Sequence, residues 1–213
     1  MRTRVLLLAG QTVALGLMMA FLVVPVSALF LDEYGPGALP YVYLMVALAG
    51  VAVSSLMSRA ERRLSLAGLA GGVIATYLVA VAAGWVALAV GDGLWVTFPL
   101  LVLFPLSIPI GFVLVGSQAG RLLDVRQMKA QFPRVAAGFS VGFAVGGIAA
   151  ATLVGPLGGP EHLLGLDVLA AGLMLGLVLI TARQFPADLR AVPEPVVRTL
   201  GSGNRAAARF HTM

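Results

Sequence analysis

The stretch whose reading decides the fold is residues 120–159, GRLLDVRQMKAQFPRVAAGFSVGFAVGGIAAATLVGPLGG. A short charged amphipathic piece, DVRQMKAQFPR, leads into a long apolar run that closes on Gly155-Pro156-Leu157-Gly158-Gly159. Within the run, Gly138, Gly142 and Gly146 recur at every fourth residue. That spacing puts them on one helix face, a groove without side chains where a neighbouring backbone can come close. Such a groove is useful in lipid, where packing, hydrogen bonding and lipid entropy replace the hydrophobic drive between helices. Two readings stand: a fixed helix-packing seam, or a seam that slides during a transport cycle.

Composition agrees with lipid as the solvent. Hydrophobic residues make up 60%, charged residues 11%, and the mean hydropathy is +1.00. A soluble domain is roughly 45–50% apolar and about 25% charged. The apolar runs are near-continuous and do not alternate, which favours a polytopic helical membrane protein over a β-barrel. With no cysteine there is neither a disulfide framework nor thiol chemistry.

Six spans are predicted. The basic head Met1-Arg2-Thr3-Arg4 precedes an apolar run over 5–30. A signal peptide is the rival reading of this run, but its length suits a spanning helix better. Pro25 should bend it. An acidic, turn-rich loop over 31–39 carries Asp32, Glu33 and Gly35-Pro36-Gly37, and Pro40 opens the second span beside Tyr41 and Tyr43. This span runs to about Met57 and meets Ser58-Arg59-Ala60-Glu61-Arg62-Arg63. The third covers 66–90 and ends at Gly91-Asp92-Gly93; the fourth, from Leu94 to about Val115, holds Pro99, Pro105 and Pro109 and should kink. The fifth is the glycine-striped run over 135–153, and the sixth runs over 163–182. Residues 1–182 thus form the membrane domain, and 183–213 read as a basic, disordered cytoplasmic tail.

The charges sort cleanly between the two sides. Arg2 and Arg4, then Arg59, Arg62 and Arg63, then Arg121, Arg126, Lys129 and Arg134, and finally the five arginines of the tail all fall on one side. The opposite loops hold Asp32, Glu33, Asp92 and Glu161 and no basic residue. The positive-inside rule then places both termini in the cytoplasm of a bacterial-type inner membrane. The net charge of +5 follows from this topology and from attraction to anionic lipid, with no need for a nucleic-acid partner.

No constellation carries catalysis. His162 and His211 lie far apart without ligand-spaced partners, so no metal site is expected. Gly116-Ser117-Gln118-Ala119-Gly120 does not supply a nucleophile elbow, and Gly201-Ser202-Gly203-Asn204 lacks the context of a phosphate loop. The expectation is a protein that is not an enzyme and has no cofactor. The mid-depth polar groups able to face a substrate cavity are Gln11, Thr12, Thr76 and Tyr77, each of which can equally serve as a helix–helix hydrogen bond. Asp167 is placed within about a turn of the outer surface, reaching headgroups or loop donors.

Several motifs carry a family resemblance. Arg59-x-x-Arg62-Arg63 resembles the basic end of the loop between helices two and three in the major facilitator superfamily, with Ser58 and Glu61 where that family has Asp and Gly. The glycine stripe with Gly155-Pro156 and Gly158-Gly159 is similar to its glycine- and proline-rich helix-five motif. Phe30-Leu31-Asp32-Glu33-Tyr34-Gly35, Ala38-Leu39-Pro40-Tyr41-Val42-Tyr43, and Asp124-Val125-Arg126-Gln127-Met128-Lys129 with Phe132 resemble bacterial relatives of the ATP/ADP translocases. The resemblance covers about residues 1–185. It implies one half of a major-facilitator fold, two inverted three-helix repeats, moving a small, anionic or nucleotide-like solute by alternating access.

A half of this kind needs a partner, either a second copy or another six-helix half. Nucleotide exchange would want cavity cations for phosphate, and the only lysine, Lys129, lies in a cytoplasmic loop. Arg59, Arg62, Arg63, Asp124, Arg126 and Lys129 are candidates for a cytoplasmic gate, with Asp124 pairing to an arginine in one state and releasing it in the other. A reading from another class is a non-transporting scaffold or regulatory anchor, its basic tail on lipid or a soluble partner.

Overall fold

The computed structural model describes residues 2–91 and 94–189. Among them there is no strand, and six long helices follow one another up and down: α1 (Arg2–Tyr34), α2 (Leu39–Glu61), α3 (Leu66–Val90), α4 (Thr97–Leu122), α5 (Val125–Leu153) and α6 (Leu163–Gln184). Each is long and apolar enough to cross a membrane. A short helix, α7 (Pro186–Leu189), turns back so that Leu189 is buried near the end of α4. The tail expected over 183–213 lies outside the described residues from 190 onward, as do Asp92 and Gly93 of the third turn.

Helix ends follow local chemistry. Ser65 caps α3, its hydroxyl accepting from the Gly68 amide at 3.2 Å, and Gly91 closes the same helix in the left-handed region at φ 105°. Asp124 caps α5 by accepting from the Gln127 amide at 2.7 Å. That cap explains one departure from expectation: the charged piece and the glycine run are a single helix, which continues through Pro133. Pro99 is not a kink site but sits in the first turn of α4, where a missing N–H has no helical partner to lose; only Pro105 and Pro109 lie inside. α1 runs past Phe30 to Tyr34, taking Asp32 and Glu33 into its exposed last turn.

The bundle is built around its first helix. In α1, 61% of the most apolar stretch is buried, against 6% for α2. α1 packs on α4, α5 and α6, α3 packs on α6, and α2 leans on α4 alone to any extent. At one end Arg4 donates to the Leu122 carbonyl at 2.7 Å and lies 4.9 Å from the centre of the Phe185 ring. This is the basic end. At the other, short 3₁₀ turns at 36–38, 94–96 and 160–162 gather on α1.

The glycine stripe meets α1. A methyl group on Gly142 would collide with the Val13 carbonyl, and one on Gly138 would stand 2.9 Å from the Ala9 carbonyl oxygen. Gly16 returns the contact, since its own methyl would come within 2.6 Å of the Phe143 amide nitrogen. Two helices therefore touch backbone to backbone along several turns. Gly155 and Pro156 lie beyond the helix end, exposed and outside this seam.

Candidate functional site

Among the described residues, three arrangements of buried polar side chains join helices of the bundle. In the first, Gln11 of α1 and Gln118 of α4 form a reciprocal amide pair, Gln118 Nε2 donating at 3.0 Å and Gln11 Nε2 at 3.2 Å. Gln11 Nε2 also donates to Thr181 Oγ1 of α6 at 3.0 Å, and Thr181 passes its own proton to the Leu177 carbonyl at 2.7 Å. These side chains are essentially inaccessible, and their donors and acceptors meet one another. In the second, Thr12 donates to the Val135 carbonyl of α5. Gln11 and Thr12, expected as cavity candidates, thus hold α1 to its neighbours.

The third arrangement is different in kind. Asp167 of α6 is fully buried, and the Tyr77 hydroxyl of α3 donates to its Oδ2 at 2.8 Å. Its other oxygen, Oδ1, has no hydrogen-bond partner among the described residues, nor has the buried Trp85 Nε1 further along α3. The expectation that Asp167 reaches headgroups or loop donors is corrected here: its side chain turns inward to α3. Position along the helix does not set exposure when a neighbouring helix covers that face.

Tyr77 also borders a cavity of about 470 Å³, formed where α2 stands off from α3 and α4. Leu15 and Met18 of α1, Met57 of α2, Leu114 of α4 and Met174 of α6 complete its mainly apolar wall. Thr76 lies on the wall too, as does Ser107, but each hydroxyl donates to its own helix, to Gly72 and Leu103 respectively. The space runs from mid-bundle toward the basic end, where Ala60 and Leu64 flank Arg62 and Arg63. The structure thus brings Thr76 and Tyr77 together on one cavity and leaves Gln11 and Thr12 in helix contacts.

The charged residues considered for a gate are exposed. Arg59, Arg62 and Arg63 surround the turn between α2 and α3, while Arg126 and Lys129 stand on the first turns of α5. Among the described residues, no ion pair joins Asp124 to Arg59, Arg62 or Arg63, and its carboxylate is engaged by the α5 cap. No group of three or more His, Cys, Asp or Glu able to hold a metal occurs among the described residues.

Six helices long and apolar enough to cross a membrane mark a multi-pass helical membrane protein, with a cavity and a buried carboxyl inside its bundle. Compared with known protein families, curated proteins and solved structures, the chain finds no match in any of the three.

Proposed function

We propose that this chain is one half of a facilitator-type transporter, built from two inverted three-helix repeats and working by alternating access with both termini cytoplasmic. The observation that carries the reading is the pairing of the helices. Exchange α1 with α4, α2 with α5 and α3 with α6, and the principal contacts map onto themselves. The α1–α5 contact becomes α4–α2, α1–α6 becomes α4–α3, and α1–α4 and α3–α6 are each their own image. An inverted repeat generates this pattern, and substrate sites in such folds lie at mid-membrane between repeats.

The two halves of the pattern differ in tightness, and that difference supports a moving part. α5 is locked to α1 through glycine, whereas its counterpart α2 stands off from α4 and leaves the cavity. The wall carries Thr76, Ser107 and Tyr77 and no cation. It therefore favours a small neutral or largely apolar solute over a nucleotide, whose phosphates want Arg or Lys. A second copy or another six-helix half completes the transporter. Exposed Leu44, Leu48 and Val51 on α2 and Val141, Val145 and Ile148 on α5 give it apolar faces to meet, in the same four-then-three spacing.

The test uses the absence of native cysteine. Thr76→Cys, reconstituted in liposomes, is treated with a membrane-impermeant thiol reagent from either side. Alternating access predicts labelling from both sides. Labelling from one side alone, under every condition tried, refutes it.

A further inference from the structure

We propose that Asp167 is a proton-binding site that couples solute movement to the proton gradient, with Tyr77 joining it to the cavity. The proposal rests on the transport reading above. Its grounds are in the contrast between the buried polar groups. The Gln11–Gln118–Thr181 cluster is what interhelical glue looks like: donors and acceptors are matched across three helices. Asp167 is the only acidic side chain buried among the described residues, yet one hydrogen bond is all that holds it. An ionised carboxylate has about four acceptor positions and a protonated one adds a donor, so a single bond satisfies neither form. A group serving only to tie helices together would not be left so. Intramembrane carboxyl groups are expensive and recur in proton relays.

The surroundings leave the titration to Asp167. On α3 the one other ionisable side chain is Tyr77, its hydrogen-bond donor. α1 carries none between Arg4 and Asp32, and α6 none between Asp167 and Arg183. The turn at 160–162 brings Glu161 and His162, which stand 3.8 Å from each other and are 29% and 43% exposed. α7 brings Asp188, at the opposite end of α6. Binding forms one O–H bond on the carboxylate as hydronium loses a proton and becomes water; release to water on the other side reverses it. Because Tyr77 both donates to Asp167 and borders the cavity, solute in the cavity and the charge on Asp167 act on one side chain. That shared contact is the coupling.

Infrared spectra of the full chain in phosphatidylethanolamine–phosphatidylglycerol liposomes, titrated with pH, read the carboxyl directly without any solute. The expected result is a titrating protonated-carboxyl C=O component in the wild-type-minus-Asp167→Asn difference, which cancels the other Asp and Glu side chains and the lipid ester carbonyls that both samples share, and this component is displaced in Tyr77→Phe. In parallel, the two-sided labelling of Thr76→Cys should shift its balance with pH, and Asp167→Asn should abolish that shift. Should Asp167→Asn fail to fold, Asp167→Glu must keep a titrating band at a displaced midpoint, and an unmoved midpoint overturns the assignment. No titrating component in that difference overturns the proton site. Labelling from both sides that ignores pH overturns the coupling and leaves transport standing. A titrating band with labelling from one side only removes the transport reading, and the coupling with it.

Discussion

Replacing Gly142 with alanine adds one methyl group where α5 lies on the backbone of α1. That methyl would collide with the Val13 carbonyl oxygen and stand 2.8 Å and 3.0 Å from the Val13 carbonyl carbon and Cα, against 3.4–4 Å for ordinary contact. All three atoms belong to the main chain, so no rotamer change relieves the clash, and the helices must part by roughly 0.6 Å or more. A gap of about 0.5–1 Å forfeits about a quarter to a half of each dispersion contact along the seam. Overpacking of this kind costs about 1–3 kcal/mol, while alanine's better helix propensity returns up to about 1 kcal/mol. The expected net loss is about 1–2 kcal/mol, or about 2–8 °C in the melting temperature for a chain of this size. Thermal unfolding in detergent measures it. Gly147→Ala and Gly172→Ala are the controls: a methyl at either meets nothing within 4 Å, so neither should lower the melting temperature. A Gly142→Ala protein that melts at or above wild type, or controls that fall equally, would refute the close-approach reasoning.

Other substitutions probe the remaining contacts. Gln11→Leu strips Gln118 and Thr181 of their partner and should destabilise by about 1–3 kcal/mol. Adding Gln118→Leu should recover part of that loss in a double-mutant cycle, and strict additivity would deny the pair. Ser65→Ala removes the α3 cap at a cost of about 0.5–2 kcal/mol, measurable by the same melts, whereas Ser65→Asp should hold stability. Asp124→Asn keeps an equivalent cap on α5 while deleting the charge, so the melting temperature should hold. Any change in two-sided Thr76→Cys labelling then reports on a gate charge, and unchanged labelling removes Asp124 from the gate.

Local signals were the readable part of this sequence. Hydropathy places all six helices, and the expected starts of α3 at Leu66 and α6 at Leu163 coincide with the observed ones. Errors gathered at ends, where capping decides. Asp124 caps α5 by accepting from the Gln127 amide and starts the helix at Val125, ten residues before the expected start at 135, and Pro99 falls in a first turn rather than a kink. Partner choice was less legible. Spacing alone shows that Gly138, Gly142 and Gly146 share a face, but not that Gly16 and Val13 lie opposite, more than a hundred residues earlier. The same holds for Asp167: its partner Tyr77 is 90 residues away, and nothing local says that α3 covers that face. A lone acidic residue early in an apolar span was the available signal, since such a group needs an interior partner when it does not reach the surface.

The central place of α1 bears on how the protein is made. Gln11 meets Gln118 only after 107 further residues and Thr181 after 170, so α1 is made well before the helices that satisfy its amide. At roughly 5–20 residues per second, the nascent segment waits on the order of 5–20 s for α4 alone. Throughout that interval the Gln11 amide must find temporary company in the insertion machinery or at the lipid headgroups, while Thr12 has the Ala9 carbonyl of its own helix. Slowing elongation before Gln118 lengthens the exposure, and quality-control proteolysis during synthesis has its widest opening there.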